Sequence, residues 1–223
     1  MSGPLIAAFD IATTTGLCFG TPGGRPTLTT WDLKPRCPRC GSVTQHVCGM
    51  VCVELCPRCD KLGGPDYRLN STEGVRPPAG DRPRRLAHFH CLCTKFFRLY
   101  KIDKVRYESP LNLRAMFGSG TSEQVMLMLR GAIGVMECAA AQAGIDDIGS
   151  FNVQDARQHL TGFRTFPKVK GKSTAKAQIM KMCKTLGVDA KTEDSADAYA
   201  GWSYCCALAN PRLAHLTSPL FSR

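Results

Sequence analysis

The sequence has no run of about eighteen uninterrupted apolar residues, the length that a membrane-spanning helix needs, so no such helix is expected. Its first ten residues, MSGPLIAAFD, lack the basic start and the long apolar core of a secretory signal. The chain is therefore expected to stay in the cytoplasm or with its target, and not to be secreted. Acidic residues are scarce, 18 against 29 lysines and arginines, which leaves a net charge of +11. A surplus of that size favours polyanionic partners, nucleic acid first and anionic membrane second. No basic helix with a broad apolar face stands out, so no membrane partner is expected. What remains is ordinary: 223 residues, 43% of them hydrophobic, enough for one well-buried domain with an insert.

Cysteine is abundant, with thirteen in a chain without a secretory signal, and that combination points to metal before disulfides. Cys37 and Cys40 form one Cys-Pro-Arg-Cys knuckle and Cys56 and Cys59 a second, with fifteen residues between them. Two such knuckles present four thiolates, which is what a closed structural zinc site requires. The intervening residues supply a hairpin. His46, Cys48 and Cys52 either furnish part of a second site, with Cys91 or Cys93, or pack as small hydrophobes. Cys18, Cys138, Cys183, Cys205 and Cys206 lie in apolar runs and are expected in the core. Residues 66–80 are rich in glycine, proline and polar residues and read as a flexible linker. The chain thus divides into a main domain, 1–34 with 81–223, and a zinc ribbon, 35–65, inserted into it.

The main domain alternates strands and helices. An apolar run over 5–9 and a second after the threonines at 13–15 predict a strand, a tight turn and a returning strand, with Asp10 placed mid-strand. Residues 84–103 carry Leu86, Phe89, Cys93, Phe96 and Tyr100 at helical spacing. A short strand over 104–109 ends in Glu108, a long helix covers 122–143, and another strand covers 148–153. Residues 155–160 begin a turn of helix or a loop. From Arg164 to Lys184 seven basic residues occur with no acidic one. That segment is expected to be a basic loop that becomes helical at Lys176, and Arg164, Lys168, Lys170, Lys172 and Lys176 are the candidate phosphate contacts. Gly171-Lys172-Ser173 ends like a phosphate-binding loop, but the first glycine of that motif would fall at position 166, which is phenylalanine. A last helix, 192–210, opens with Asp194, a candidate N-cap, and Asp197 on the same face of its first turn. Its Ala198, Ala200, Gly201 and Ala207 keep it slim enough to press on a sheet.

Four carboxylates therefore stand in a basic protein: Asp10 mid-strand, Glu108 at a strand end, and Asp194 and Asp197 on one helix turn. Buried like charges are costly unless a cation joins them. Magnesium prefers oxygen ligands, and two ions about 4 Å apart can clamp the attacking and leaving oxygens of a phosphodiester.

The order of these pieces resembles the RuvC family of Holliday-junction resolvases, within the ribonuclease H-like fold. The matching stretches are FDIATTTG, VRYESP, LTGFR with KSTAKAQIM, and EDSADAYAGW, spread over residues 3–34 and 81–210. The resemblance implies an α/β fold, a five-stranded mixed sheet flanked by helices. It also implies a DNA-associated homodimer that cuts two strands of a four-way junction with two Mg2+ or Mn2+ ions per site. On it, Asp10, Glu108, Asp194 and Asp197 are the catalytic metal ligands. Three features depart from the family: Asp10-Ile11-Ala12 stands where Asp-Pro-Gly is usual, Leu111 stands where an aromatic serves the junction centre (Phe117 is the nearest substitute), and the zinc ribbon is extra. Three other readings stay open: a nuclease of the same fold acting on flaps, branched DNA or RNA–DNA hybrids, a non-catalytic zinc-ribbon adaptor, and an actin-type ATPase, for which the chain is short.

Overall fold

A computed structural model describes residues 3–12, 14–33, 82–109, 123–169 and 172–213. The zinc-ribbon cysteines Cys37, Cys40, Cys56 and Cys59, their neighbours His46, Cys48 and Cys52, the linker, Leu111, Phe117 and Lys170 all lie outside the described residues.

The elements follow in the order β1 (Ile6–Asp10), β2 (Thr14–Gly20), β3 (Thr27–Asp32), α1 (Arg82–Leu99), β4 (Lys104–Glu108), α2 (Glu123–Gln142), β5 (Asp147–Phe151), α3 (Val153–Thr161), β6 (Lys168–Val169), β7 (Lys172–Ser173), α4 (Ala175–Thr185) and α5 (Glu193–Ala209), with a 3-10 turn over Pro211–Leu213. Five strands form one mixed sheet in the order β3-β2-β1-β4-β5. The first three are antiparallel neighbours, and β4 and β5 run parallel to β1.

The two-residue alternation of β1 explains why both faces are covered. Ala7 and Phe9 join an aromatic-rich core with Phe19, Phe89, Phe96 and Phe97, closed by α1 and α2. Ile6 and Ala8 face the other way, into a core of small residues and Trp202 closed by α3, α4 and α5. β2 alternates in the same manner, with Leu17 and Phe19 toward the aromatic side and Cys18 toward α5. α2 is long and apolar enough to cross a membrane by length and composition. Its Ala132, Met136, Ala139 and Ala140 are buried in the aromatic core, and its Glu137 accepts a 2.7 Å hydrogen bond from the Tyr107 hydroxyl. Both contacts pack one side of α2 against the sheet.

α5 is the central element of the second face. Ser195 through Ser203 are all buried, and small side chains make that possible. A β-carbon on Gly201 would lie 2.3 Å from the ring of Phe151, so the helix rests directly on β5 there. Trp202 anchors it by donating a 3.2 Å hydrogen bond from Nε1 to the Gly20 carbonyl.

Several expectations are corrected. Asp10 is the last residue of β1 and not mid-strand. Thr192, not Asp194, caps α5: its hydroxyl accepts from Ser195 N at 3.1 Å, and Ser195 Oγ accepts from Thr192 N, a reciprocal capping box. The basic loop contains a two-stranded ladder, β6 with β7. Residues 153–161 form a full helix, capped by Asn152 and ended by Gly162 in the left-handed region, φ 79°. Cys138 is exposed on α2, whereas Cys18, Cys183, Cys205 and Cys206 are buried as expected. Cys93 is buried in the aromatic core, where it packs as a small hydrophobe.

Candidate active site

Parallel strands β1 and β4 pair Phe9 with Tyr107, so the next residues, Asp10 and Glu108, stand side by side at the carboxyl edge of the sheet. That edge is where open α/β sheets place their ligands. Both side chains lie on the α5 face: Asp10 is an even step from Ile6 and Ala8, which face α5, and Glu108 is an odd step from Val105, which faces the aromatic core. They share a side-chain hydrogen bond. The first turn of α5 brings Asp194 and Asp197 over the same edge. Gly16 makes this approach possible. It pairs with Asp10 in the sheet, and a β-carbon there would fall 2.0 Å from the Asp194 carbonyl oxygen.

The cluster is charged against its surroundings. Burial first, then the charges of Glu108, Asp197 and Asp194, pushes the Asp10 carboxyl up to about 8. Burial also raises Glu108, although the hydrogen bond from Asp10 and the nearby Arg157 and Lys176 work the other way. Asp194 is raised by burial and by Asp197, with Lys176 opposing. Asp10 and Glu108 thus hold one proton between them when no cation is present.

Two cations reach the cluster. Arg157, from α3, donates to Asp197 through Nη2 at 3.0 Å and Nε at 3.3 Å. Lys176, in the first turn of α4, lies 3.3 Å from Glu193 and 3.7 Å from Asp194. Burial works against the Lys176 charge, but Glu193 and then Asp194 lift its affinity for a proton. Lys176, a candidate phosphate contact by its sequence position, thus lies against the acidic turn of α5. Arg164 is exposed and pairs with Asp155 at 3.2 Å. Lys168 and Lys172 sit in β6 and β7.

The donor set is all oxygen and suits a hard divalent cation such as Mg2+ or Mn2+. Asp10 and Glu108 fit such an ion best: they are adjacent and half-buried, and the ion pairs of Arg157 and Lys176 go to other carboxylates. Asp197 faces Arg157 and Asp194 faces Lys176. Among the described residues, no three acidic, histidine or cysteine side chains are gathered closely enough to hold an ion as they stand.

The sequence reading found all four carboxylates and missed Arg157 and Gly16. Arg157 was legible in part: Asn152 is a good cap, and Ala156 and Leu160, both buried, mark a helix whose adjacent position is basic. Gly16 carries a weaker signal, the small residues Gly16, Cys18 and Gly20 alternating with large Leu17 and Phe19.

Fold and site together define an α/β domain, a mixed five-stranded sheet flanked by helices, with an acidic cluster at the carboxyl edge of the sheet. No family model matches the sequence, and no curated protein matches it. Among solved structures, the chain is similar to RuvC from Thermus thermophilus, with a TM-score of 0.50 at 15% identity over 94% of this chain and 96% of that one. It is similar also to T. thermophilus RuvC in complex with a Holliday junction substrate, with a TM-score of 0.51 at 14% identity over the same shares. The chain has a RuvC-like fold.

Proposed function

We propose that the protein is a divalent-metal-dependent, structure-selective DNA endonuclease that resolves four-way junctions. The observation that carries this reading is the convergence of Asp10, Glu108, Asp194 and Asp197, from two parallel strand ends and one helix turn, in a protein of net charge +11. Acidic clusters of this kind are costly to folding, and a basic protein has little reason to bury one unless cations and phosphate complete it. The RuvC-like fold supports the same reading, since the T. thermophilus protein is described bound to a Holliday junction.

Asp10 and Glu108 would be the principal metal ligands, with Asp194 and Asp197 beside them. A bound divalent ion supplies a Lewis acid that polarises the phosphodiester and activates water. The chain itself does the rest. The β1 and β4 ends fix the carboxylates, Arg157 orients Asp197, Lys176 balances the α5 turn, and the basic segment from Arg164 to Lys172, with Lys170, holds phosphates. Phosphate contacts of that kind supply affinity without sequence preference. The zinc ribbon on Cys37, Cys40, Cys56 and Cys59 extends the DNA or dimer contact.

Two such active sites are needed to cut a junction symmetrically, which calls for a homodimer.

The test is cleavage of a matched panel of four-way junction, flap, linear duplex and RNA–DNA hybrid in Mg2+. Paired cuts in the junction, abolished by Asp10→Asn with binding retained, are expected. Preference for flap or hybrid would move the protein to another nuclease type of the same fold, and unimpaired cleavage by Asp10→Asn would remove the site assignment.

A further inference from the structure

Phe163 takes the nuclease reading a step further, and the inference rests on that reading. Phe9, Phe19, Phe89, Phe96, Phe97 and Phe151 are all buried, whereas Phe163 is 61% exposed. It follows Gly162, which ends α3. It also heads the stretch from Arg164 to Lys184, which carries seven basic residues and no acidic one. An exposed apolar side chain is ordinary by itself; the way this one is held is not.

The backbone beneath the ring is fixed from several sides. Thr161, 7% exposed, donates from Oγ1 to the Arg157 carbonyl at 2.7 Å and accepts from Phe163 N at 3.2 Å. Gly162 N donates to the Gln158 carbonyl at 2.8 Å, and the next residue along, Arg164, pairs with Asp155 at 3.2 Å. The loop that begins here closes just ahead of α4, where Thr174 donates to the Pro167 carbonyl from N at 3.1 Å and from Oγ1 at 3.0 Å. Both ends of the loop meet the acidic cluster. Arg157 grips Asp197 one helical turn before Thr161, and Lys176 lies against Glu193 and Asp194 two residues after Thr174. The ring is thus carried on a segment tied at both ends to the carboxylate edge, and little backbone freedom is left to lose on binding.

We propose that Phe163 is a stacking platform for a nucleobase beside the phosphodiester that is cut, and so a residue that selects branched DNA over linear duplex. Every base has a π-face, so stacking on an aromatic ring adds affinity with little regard to sequence. In a linear duplex both faces of each base are covered by its neighbours. Where strands part, a face comes free. The basic residues that follow Phe163 hold the phosphates of any DNA, whereas the ring holds only a base with an open face. Affinity and structure selection then come from adjacent parts of one loop.

The experiment compares DNA shapes. Phe163→Ala, Phe163→Leu and Phe163→Trp are made in the full chain, and binding to a four-way junction, a single strand and a linear duplex is measured without Mg2+. Phe163→Ala and Phe163→Leu should bind junction and single strand about tenfold more weakly, a loss of roughly 1.4 kcal/mol, and linear duplex as the parent does. Phe163→Trp should bind all three as the parent does. Its added indole emission, taken as the difference from the parent, should be quenched by junction and single strand and not by linear duplex. Leucine keeps an apolar side chain without a π-face, so parental affinity in Phe163→Leu would overturn stacking. Equal losses on all three DNAs, or none, would overturn the selection of branched DNA. A changed oligomeric state in Phe163→Ala would make the ring a protein contact and overturn the proposal as well. The nuclease reading is decided apart from these outcomes, by whether the parent cuts the substrate panel in Mg2+.

Discussion

The carbonyl oxygen of Asp194 sits 2.0 Å from where a β-carbon on Gly16 would stand. That contact sets how closely the acidic turn of α5 approaches Asp10, because Gly16 is the sheet partner of Asp10. The obstacle is backbone, which cannot rotate away as a side chain can. Gly16→Ala must therefore lift the start of α5 or bend β2. Overpacking of this kind costs about 1–3 kcal/mol, which in a chain of this size lowers the melting temperature by roughly 2–10 °C. The expected signature is functional loss in excess of that: weakened Mg2+ binding and cleavage at temperatures where the variant is folded. Leu160→Ala, in the fully buried core, is the comparison, because it should lose stability and keep its Mg2+ affinity. Equal Mg2+ affinity in the two variants would show that the close approach does not govern the site.

Asp10 carries a second prediction, in pH. Its carboxyl rises from an ordinary 3.8 to about 8 in the folded chain. A carboxyl raised by folding contributes stability that is fully present below about pH 3.8 and is lost as pH rises through about 8. Asp10→Asn keeps the shape, keeps a donor for Glu108 and has no charge to expose. In chelator, the variant should match the parent near pH 4 and melt higher by an amount that grows up to pH 8. Added Mg2+ should narrow the gap by stabilising the parent only. Parallel melting curves across that range would mean that the carboxyl is already solvated or paired.

How these features were or were not legible follows from their physical range. Strands and helices came out of the sequence because alternation in β1 and the helical spacing of Phe89, Cys93 and Phe96 are local patterns repeated several times. The four carboxylates were legible because three sit at element ends, where a charge interrupts an apolar run. Asp10 was misplaced by one boundary: Ile11 continues the apolar run after the strand has ended. The cap of α5 was assigned to Asp194 because acidic residues favour any place in a first turn, while Thr192 and Ser195 signal only as a pair. The β6–β7 ladder has two residues per strand, too few for any period to show. Cys138 has apolar neighbours in sequence but lies on the outer side of α2, since positions 136, 139 and 140 define the inner one. Arg157 and Asp197 are forty residues apart, and no local pattern records a pairing over that distance.

The basic segment should act through charge alone. Lys168 and Lys172 lie in the β6–β7 ladder, Arg164 pairs with Asp155 of α3 and is more than half exposed, and Lys170 lies outside the described residues. Each phosphate contact removed is expected to flatten the dependence of log affinity on log salt by about 0.9 on duplex arms. The quadruple alanine variant should bind junction and linear duplex more weakly by similar factors, with its melting temperature within a few degrees of the parent. A salt slope equal to the parent's would reduce the segment to a solvated surface.

The last prediction concerns the four knuckle cysteines, Cys37, Cys40, Cys56 and Cys59. Thiolates and carboxylates sort metals by softness: four sulfurs select zinc and close its coordination, leaving no position for water, whereas Asp10 and Glu108 select a hard ion. The two kinds of site should therefore respond to different treatments. Metal analysis of the purified chain should give one zinc per chain, retained through dialysis against a weak chelator that removes Mg2+. Cys37→Ser/Cys40→Ser should lose that zinc. If the ribbon is a contact surface, the variant should retain Mn2+ binding at the carboxylates and cut slowly, with its affinity for junctions reduced about tenfold, a loss of roughly 1.4 kcal/mol. Full zinc content in the variant would mean that other ligands hold the metal. Loss of zinc with unchanged junction affinity would leave the ribbon a role in stability only. Loss of Mn2+ binding as well would mean that the insertion and the carboxylate edge fold as one unit.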